Sequence, residues 1–393
     1  MSLATSFESF LSSIRPTAAD MEKGRKRHTE LRENLLADKP LAAMILHTFL
    51  QGSYRRSTIL RPTNEEKMDV DLVVVTTIDE RLGTGYAFDL FKPFVDRHYQ
   101  GQWKLQGRSI GISLHDVDLD LVITARPPEP LAKSLATRDH AFAAFNKLAT
   151  TPDNWVRRLT GDDDTVEDWF DAKVRTVPAH LRAGTRQQLA KVAMDSSEEW
   201  RKQPLRIPDR EAREWQDTHP MAQIEWTRAK NAETNGHFVN IVKAVKCWKR
   251  EVSGLSKYPK GYPLEHMVGD CCPNDVTTFG DGLRDTLDQM ATKYRRFANA
   301  GTVPFLPDHG CADVNVLARL DGDDFQLFHR RIDEARETAC RASDCNNDAD
   351  AAGLWHSLLG ASFPLPALPA AAMPPGGFSE RTRQTEVSDG RFA

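Results

Sequence analysis

Long hydrophobic runs are missing from this 393-residue chain. Its most apolar stretches, such as Leu72–Val75 and Leu119–Ala125, fall far short of the roughly 20 residues a membrane-spanning helix needs. The opening Met1-Ser2-Leu3-Ala4-Thr5-Ser6-Phe7-Glu8 has no basic segment ahead of an apolar core, so no secretory signal is expected and the reading is a soluble, cytoplasmic chain. Positive charge is not in excess: 52 Lys and Arg stand against 56 Asp and Glu, for a net charge of −4. That balance argues against strong nucleic-acid binding by charge alone, and any nucleotide affinity must be local. Cysteine is sparse and unpaired in pattern. Cys247, Cys271, Cys272, Cys311, Cys340 and Cys345 form no C-x-x-C, and in a chain this long without a secretion signal a disulfide framework is not expected, which leaves buried thiols as the plain reading. One zinc set can be drawn, from His266, Cys271, Cys272 and Cys311, but adjacent cysteines without a second spaced pair speak against it. No internal repeat is evident.

The length exceeds one ordinary core and fits two lobes. Helical spacing is expected over Thr17 to Asp38, over a short apolar Leu41 to Thr48, and around Tyr86 to Arg97. Strands are expected over Asp69 to Thr77, Trp103 to Gln106, Ser109 to Leu114 and His115 to Ala125, the last by strict alternation. The Val73-Val74-Val75 tract predicts burial on both faces of its strand. From Thr151 to Arg206 the pattern loosens, and Asp162-Asp163-Asp164 reads as a solvated surface loop. Beyond Pro208 the chain reads as helical, with segments at Ala222 to Ala232, His237 to Val252, Leu264 to Val268, Phe279 to Phe297, Val314 to Leu320, Gly322 to Arg341 and Ala351 to Leu359. From Phe363 the Pro- and Gly-rich composition predicts a flexible tail. The expected division is 1–160 as a palm with an N-terminal spine helix, 161–206 as an inter-lobe insertion, 207–362 as a helical domain and 363–393 as the tail.

The chemistry concentrates in two stretches. Phe49-Leu50-Gln51-Gly52-Ser53 runs an apolar segment into a tight turn, where glycine permits close backbone approach and serine adds a hydroxyl donor, a setting suited to phosphate. Asp69-Val70-Asp71-Leu72-Val73 then presents two carboxylates on one strand face while Val70 and Leu72 pack the other way. Hard oxygen ligands so arranged suit Mg2+, and two such ions clamp the entering and leaving oxygens in nucleotidyl transfer. A third ligand must come from a neighbouring strand, and parity alone leaves Asp116, Asp118 and Asp120 open. Arg55, Arg56 and Arg61 are candidate phosphate contacts set against the plainer reading of solvated loop cations. Trp226 and Trp248 read as core.

Gln51-Gly52-Ser53, Asp69-Val70-Asp71-Leu72-Val73-Val74-Val75 and Asp120-Leu121-Val122 resemble the polymerase-β-like nucleotidyltransferases. The surrounding Phe49 to Thr58, Gln106-Gly107-Arg108-Ser109 and Tyr258 to His266 resemble the bacterial cGAS/DncV-like nucleotidyltransferases (CD-NTases), clade D in particular, over nearly the whole chain. The resemblance implies an α/β palm with a mixed sheet, a C-terminal helical lobe and an active site in the cleft between them. It implies Asp120 as the third metal ligand, with Asp118 behind it. It implies Gln51, Gly52, Ser53 and Lys246 around the donor triphosphate, with Lys243 one turn from Lys246. The implied activity is synthesis of a 3'-5'-linked, adenine-containing cyclic trinucleotide from ATP and other nucleoside triphosphates, in CBASS anti-phage defence within a bacterial cytoplasm. Implied partners are an E1/E2-like ubiquitin-transfer protein acting on Ala393 and an effector switched on by the product. Linear or small-molecule nucleotidyl transfer, and a nucleotide-binding regulator with a vestigial site, stand as alternatives.

Overall fold

The structure is a computed structural model that describes residues 2–128, 203–251, 255 and 259–365. The acidic run Asp162-Asp163-Asp164, most of the expected insertion and nearly all of the tail lie outside the described residues.

The palm is a five-stranded mixed sheet in the order β1-β2-β5-β4-β3. Its strands are β1 (Ile45–Gln51), β2 (Met68–Thr76), β3 (Trp103–Leu105), β4 (Ile110–Ser113) and β5 (Val117–Ile123). β2 and β5 run parallel at the centre, and the other pairings are antiparallel. Alternation along β2 sorts its side chains cleanly. Met68, Val70, Leu72 and Val74 enter the main palm core together with Leu31 and Leu35 of α2 (Ala18–Ala37) and Phe88, Phe91 and Phe94 of α5 (Thr84–His98). Val73 and Val75 face the other way, against Val122, Leu205 and Ile207. The valine tract is thus buried on both faces, as its composition predicted.

Three local expectations are corrected. Leu41 to Thr48 is not one helix: a single turn, α3 (Lys39–Ala42), gives way to β1, because pairing with β2 outweighs the local apolar spacing. After residue 203 the chain first makes a hairpin of β6 (Leu205–Asp209) and β7 (Glu214–Thr218), which roofs the Val73/Val122 face. Val314 to Leu320 forms turns, with Asn315 Oδ1 accepting from the Leu306 and Leu317 amides at 3.0 Å each.

The helical lobe contains α6 (Pro220–Glu233), α7 (Phe238–Glu251), α8 (Gly261–Cys271), α9 (Phe279–Asn299), α10 (Gly322–Ser343) and α11 (Asp348–Leu359). α1 (Leu3–Ile14), which the sequence reading left unassigned, joins it. Its Phe7, Phe10, Leu11 and Ile14 follow helical spacing and sink into this core, Phe7 meeting Phe279, Trp355 and Phe363 edge-on at 5.2, 5.1 and 5.3 Å. At about 2–3 kcal/mol for each buried Phe or Leu, that stripe holds α1 far more firmly than helix propensity does. α2 then begins at a capping box between Thr17 and Asp20 and lies on the palm. Arg61 closes the crossing: its guanidinium donates to Arg15 O at 3.0 Å and Ser12 O at 3.2 Å, so it caps α1.

Candidate active site

Register across the sheet builds the site row by row. Phe49, Val73 and Val122 form one row across β1, β2 and β5, and it is apolar. One step toward the start of β2, on the same face, the row reads Gln51, Asp71, Asp120 and Gly111. The next holds Asp69, Asp118 and Ser113. Cover by β6 therefore stops where the carboxylates begin. The structure brings Asp69, Asp71 and Asp120 to one edge, with Asp71 opposite Asp120 on adjacent strands about 4.8 Å apart.

Gly52 opens a one-turn helix, α4 (Gly52–Arg55), at φ +72°. A side chain there is forbidden twice over: the backbone is left-handed, and a Cβ would stand 1.8 Å from Asp71 Oδ2. Glycine thus lets the turn lie directly on the carboxylate. Ser53 follows, with its carbonyl accepting from the Thr58 amide at 2.9 Å. Asp120 is oriented from the side by Gln106, whose Nε2 donates to Oδ1 at 2.8 Å while lying over Gly111. Asp118 is engaged elsewhere, accepting from Ser113 Oγ at 2.7 Å with Lys67 at 3.5 Å. Asp116 falls just before β5 and pairs with Arg27 Nε at 2.9 Å.

Burial outweighs the cations that act on these carboxylates: Arg56 and Lys246 pull Asp71 down, Lys246 pulls on Asp69 and Lys260 on Asp120. Burial, then repulsion from Asp71, Asp120 and Asp118, pushes Asp69 up to about 8. Burial and Asp71 push Asp120 up to about 7, and burial also raises Asp71.

Two of the nearby cations, Lys246 and Arg56, share one carboxylate, that of Glu265. Lys246 on α7 donates to Glu265 on α8, and to Thr58 O at 3.2 Å. The other Glu265 oxygen accepts from Arg56 Nε at 3.1 Å. Burial opposes ionisation of Glu265, yet Arg56 and Lys246 outweigh it and hold the carboxyl at about 2. Arg56 is therefore a buried structural cation, not a solvated one, and Lys243 is buried as well. Sequence reasoning missed the parts played by Gln106 and Glu265, although both lie in quoted motifs, because neither sits near its partner in the chain. A second acid, Asp209, ties the lobes behind the site, accepting from Arg108 of the palm at 2.8 Å and Arg319 of the helical lobe at 3.3 Å. The drawn zinc set does not assemble: His266 contacts Tyr262 O and the His309 amide, and Cys271, Cys272 and Cys311 are free thiols. Trp248 is core, packed edge-on to Phe328, and Trp226 stacks on His309 at 3.4 Å.

A family model described as the Second Messenger Oligonucleotide or Dinucleotide Synthetase domain matches residues 1–127, the segment that holds all three carboxylates. A cyclic AMP-AMP-GMP synthase of Enterobacter hormaechei subsp. hoffmannii is 40% identical over 396 residues, covering 100% of each chain. The chain belongs to the CD-NTases. A probable cyclic AMP-AMP-GMP nucleotide synthase of Salmonella paratyphi B is 38% identical over 399 residues, again covering 100% of both. Among solved structures, the Bradyrhizobium diazoefficiens CD-NTase CdnG in complex with GTP superposes with a TM-score of 0.61 at 10% identity, covering 91% of this chain and 95% of that one. The α/β palm with a helical C-terminal region is thus the fold of this CD-NTase, a nucleotidyltransferase of the class that makes cyclic oligonucleotides.

Proposed function

We propose that this CD-NTase condenses two ATP and one GTP into a 3'-5'-linked cyclic trinucleotide of two AMP units and one GMP, releasing three pyrophosphates. The single observation behind the choice of product is full-length similarity, at 40%, to a relative named for it. A 24%-identical relative from Acinetobacter is named a cyclic AMP-AMP-AMP synthase, so both names share two adenines.

Asp69, Asp71 and Asp120 are the residues we assign to two Mg2+ ions. Among the described residues no three acidic, His or Cys side chains are gathered tightly enough to hold an ion as they stand. The donor set nonetheless fits: three hard carboxylates crowd one edge with raised pKa values, and Gly52 leaves the turn open against Asp71. Mg2+ bound there supplies neutralisation of the α-phosphate and activation of the attacking 3'-hydroxyl. Gly52 and Ser53 offer backbone and hydroxyl donors to the triphosphate, with Gln51 beside them in the Asp71 row. Lys246 has three N–H donors, of which two are engaged, and the third is assigned to phosphate. Gln106 holds Asp120 in orientation through the reaction.

Clade D membership, a place in CBASS defence, an effector switched by the product and E1/E2-like conjugation through Ala393 are carried from the resemblance. Ala393 itself lies outside the described residues. Cytoplasmic placement is proposed likewise, and no described helix is long and apolar enough to cross a membrane. The test is mass spectrometry of the product formed from all four ribonucleotides with Mg2+, after phosphatase treatment. A resistant AMP-AMP-GMP ring is expected; a phosphatase-sensitive linear product, or no pyrophosphate release, overturns the reading.

A further inference from the structure

The Lys246 ammonium is fixed before any nucleotide arrives. Glu265 is 6% exposed and Arg56 7%, and the three charged groups come from three places: α7, α8 and the palm turn after α4. Charges buried this deeply are poor stabilisers, because desolvation offsets much of their attraction and apolar packing often serves as well. Fold stability is thus a weak account of why one carboxylate stands between these two cations. Its geometry is better explained by what it fixes. One Glu265 oxygen takes Lys246 from the helical lobe, and the other takes Arg56 from the palm. Thr58 O takes a second Lys246 proton, at the end of the same turn that opens with Gly52. A lysine on a free four-carbon stem loses rotamer freedom when it meets a phosphate, whereas one already held has lost it in advance.

We propose that Glu265 is a positioning residue for the donor nucleotide: it binds Lys246 and Arg56 together across the cleft, so that Lys246 meets the triphosphate already oriented beside Asp71. This rests on the assignment of Lys246 to the donor triphosphate made above. Glu265 touches neither the substrate nor the reacting atoms; it acts through Lys246.

The experiment is calorimetric binding of a non-hydrolysable α,β-methylene ATP analogue with Mg2+, and steady-state kinetics with ATP and GTP, on the full chain. The proteins are wild type, Glu265→Gln, Lys246→Met and the double variant. Glu265→Gln is expected to raise Kd and KM for the donor about tenfold, to leave kcat at saturation within about threefold, and to add less than twofold to Lys246→Met. Glu265→Asp, which keeps the charge, is expected to recover part of the affinity; it gives the same split should Glu265→Gln fail to fold. Wild-type affinity in a folded Glu265→Gln beside a weakened Lys246→Met sinks this proposal alone, as does a fully multiplicative double variant. Wild-type affinity in Lys246→Met sinks the donor-lysine assignment and the proposal with it. Loss of cyclic product from the wild type itself would instead overturn the proposed function.

Discussion

Two buried charge clusters face each other in this cleft, and they are handled in opposite ways. Across β2 and β5 the charges are alike: burial raises Asp69, Asp71 and Asp120, the Asp71 charge raises the other two further, and Asp69 reaches about 8. Across Arg56, Glu265 and Lys246 the charges alternate, each Glu265 oxygen has its own cation, and the carboxyl sits at about 2. The second cluster balances its charge internally, whereas the first stays raised even with Arg56 and Lys246 acting on Asp71, which is why we assign the ligand to it. The small cavity behind Arg56, by comparison, amounts to about 10 Å³, room for a single water.

The strongest break in the contrast is to neutralise the like-charged cluster. Asp69→Asn with Asp71→Asn is expected to cut cyclic product roughly 1,000-fold or more, the scale of losing several kcal/mol of charge stabilisation. Because repulsion is relieved, the metal-free melting temperature should hold or rise by about 2 °C, in calorimetry, where an ordinary core defect would lower it. Next in size is Gly52→Ala. Left-handed backbone costs about 1–2 kcal/mol for a residue with a Cβ, and the 1.8 Å approach to Asp71 Oδ2 adds a displaced carboxylate. Activity should fall roughly 100-fold with a clear loss of stability, and full activity would mean that the turn does not bear on Asp71. Gln106→Leu removes only the orienting amide on Asp120, so a 10- to 100-fold loss of Mg2+ affinity or activity is expected, about the usual cost of an outer partner.

The smallest effect is thermal and depends on pH. Asp69 and Asp120 are raised above the 3.8 of an unfolded aspartate, to about 8 and about 7. Stability they contribute is therefore full below that lower value and is lost as pH rises through the folded ones. The metal-free protein should lose a few degrees between pH 6 and pH 8, and the gain in melting temperature on adding Mg2+ should grow over the same interval. A gain independent of pH would place the ion away from these carboxylates.

Much of this was legible in the chain for physical reasons particular to each segment. β5 alternates strictly and β2 alternates through Asp69-Val70-Asp71-Leu72, so their facing, and the set of carboxylates on that face, could be read directly. Asp120 was separable from Asp116 and Asp118 only through resemblance; the structure adds that Asp116 is paired with Arg27 and Asp118 with Ser113. β1 was obscured because it is half-buried along its whole length and follows apolar residues at helical spacing. The β6–β7 hairpin was hidden by Pro208, which sits in a two-stranded ribbon where a missing amide costs little. Glu265 could not be found because it pairs with Arg56 across 209 positions, and no local pattern encodes that. Arg61, weighed as a phosphate ligand, turned out to cap α1.

The most direct test of the central assignment is to compare Asp120→Asn with Asp118→Asn, two residues apart on one face of β5, for cyclic product by mass spectrometry from ATP and GTP with Mg2+. The account predicts that Asp120→Asn abolishes the ring while Asp118→Asn keeps most of it. Undiminished product from Asp120→Asn, or its loss from Asp118→Asn alone, would contradict it.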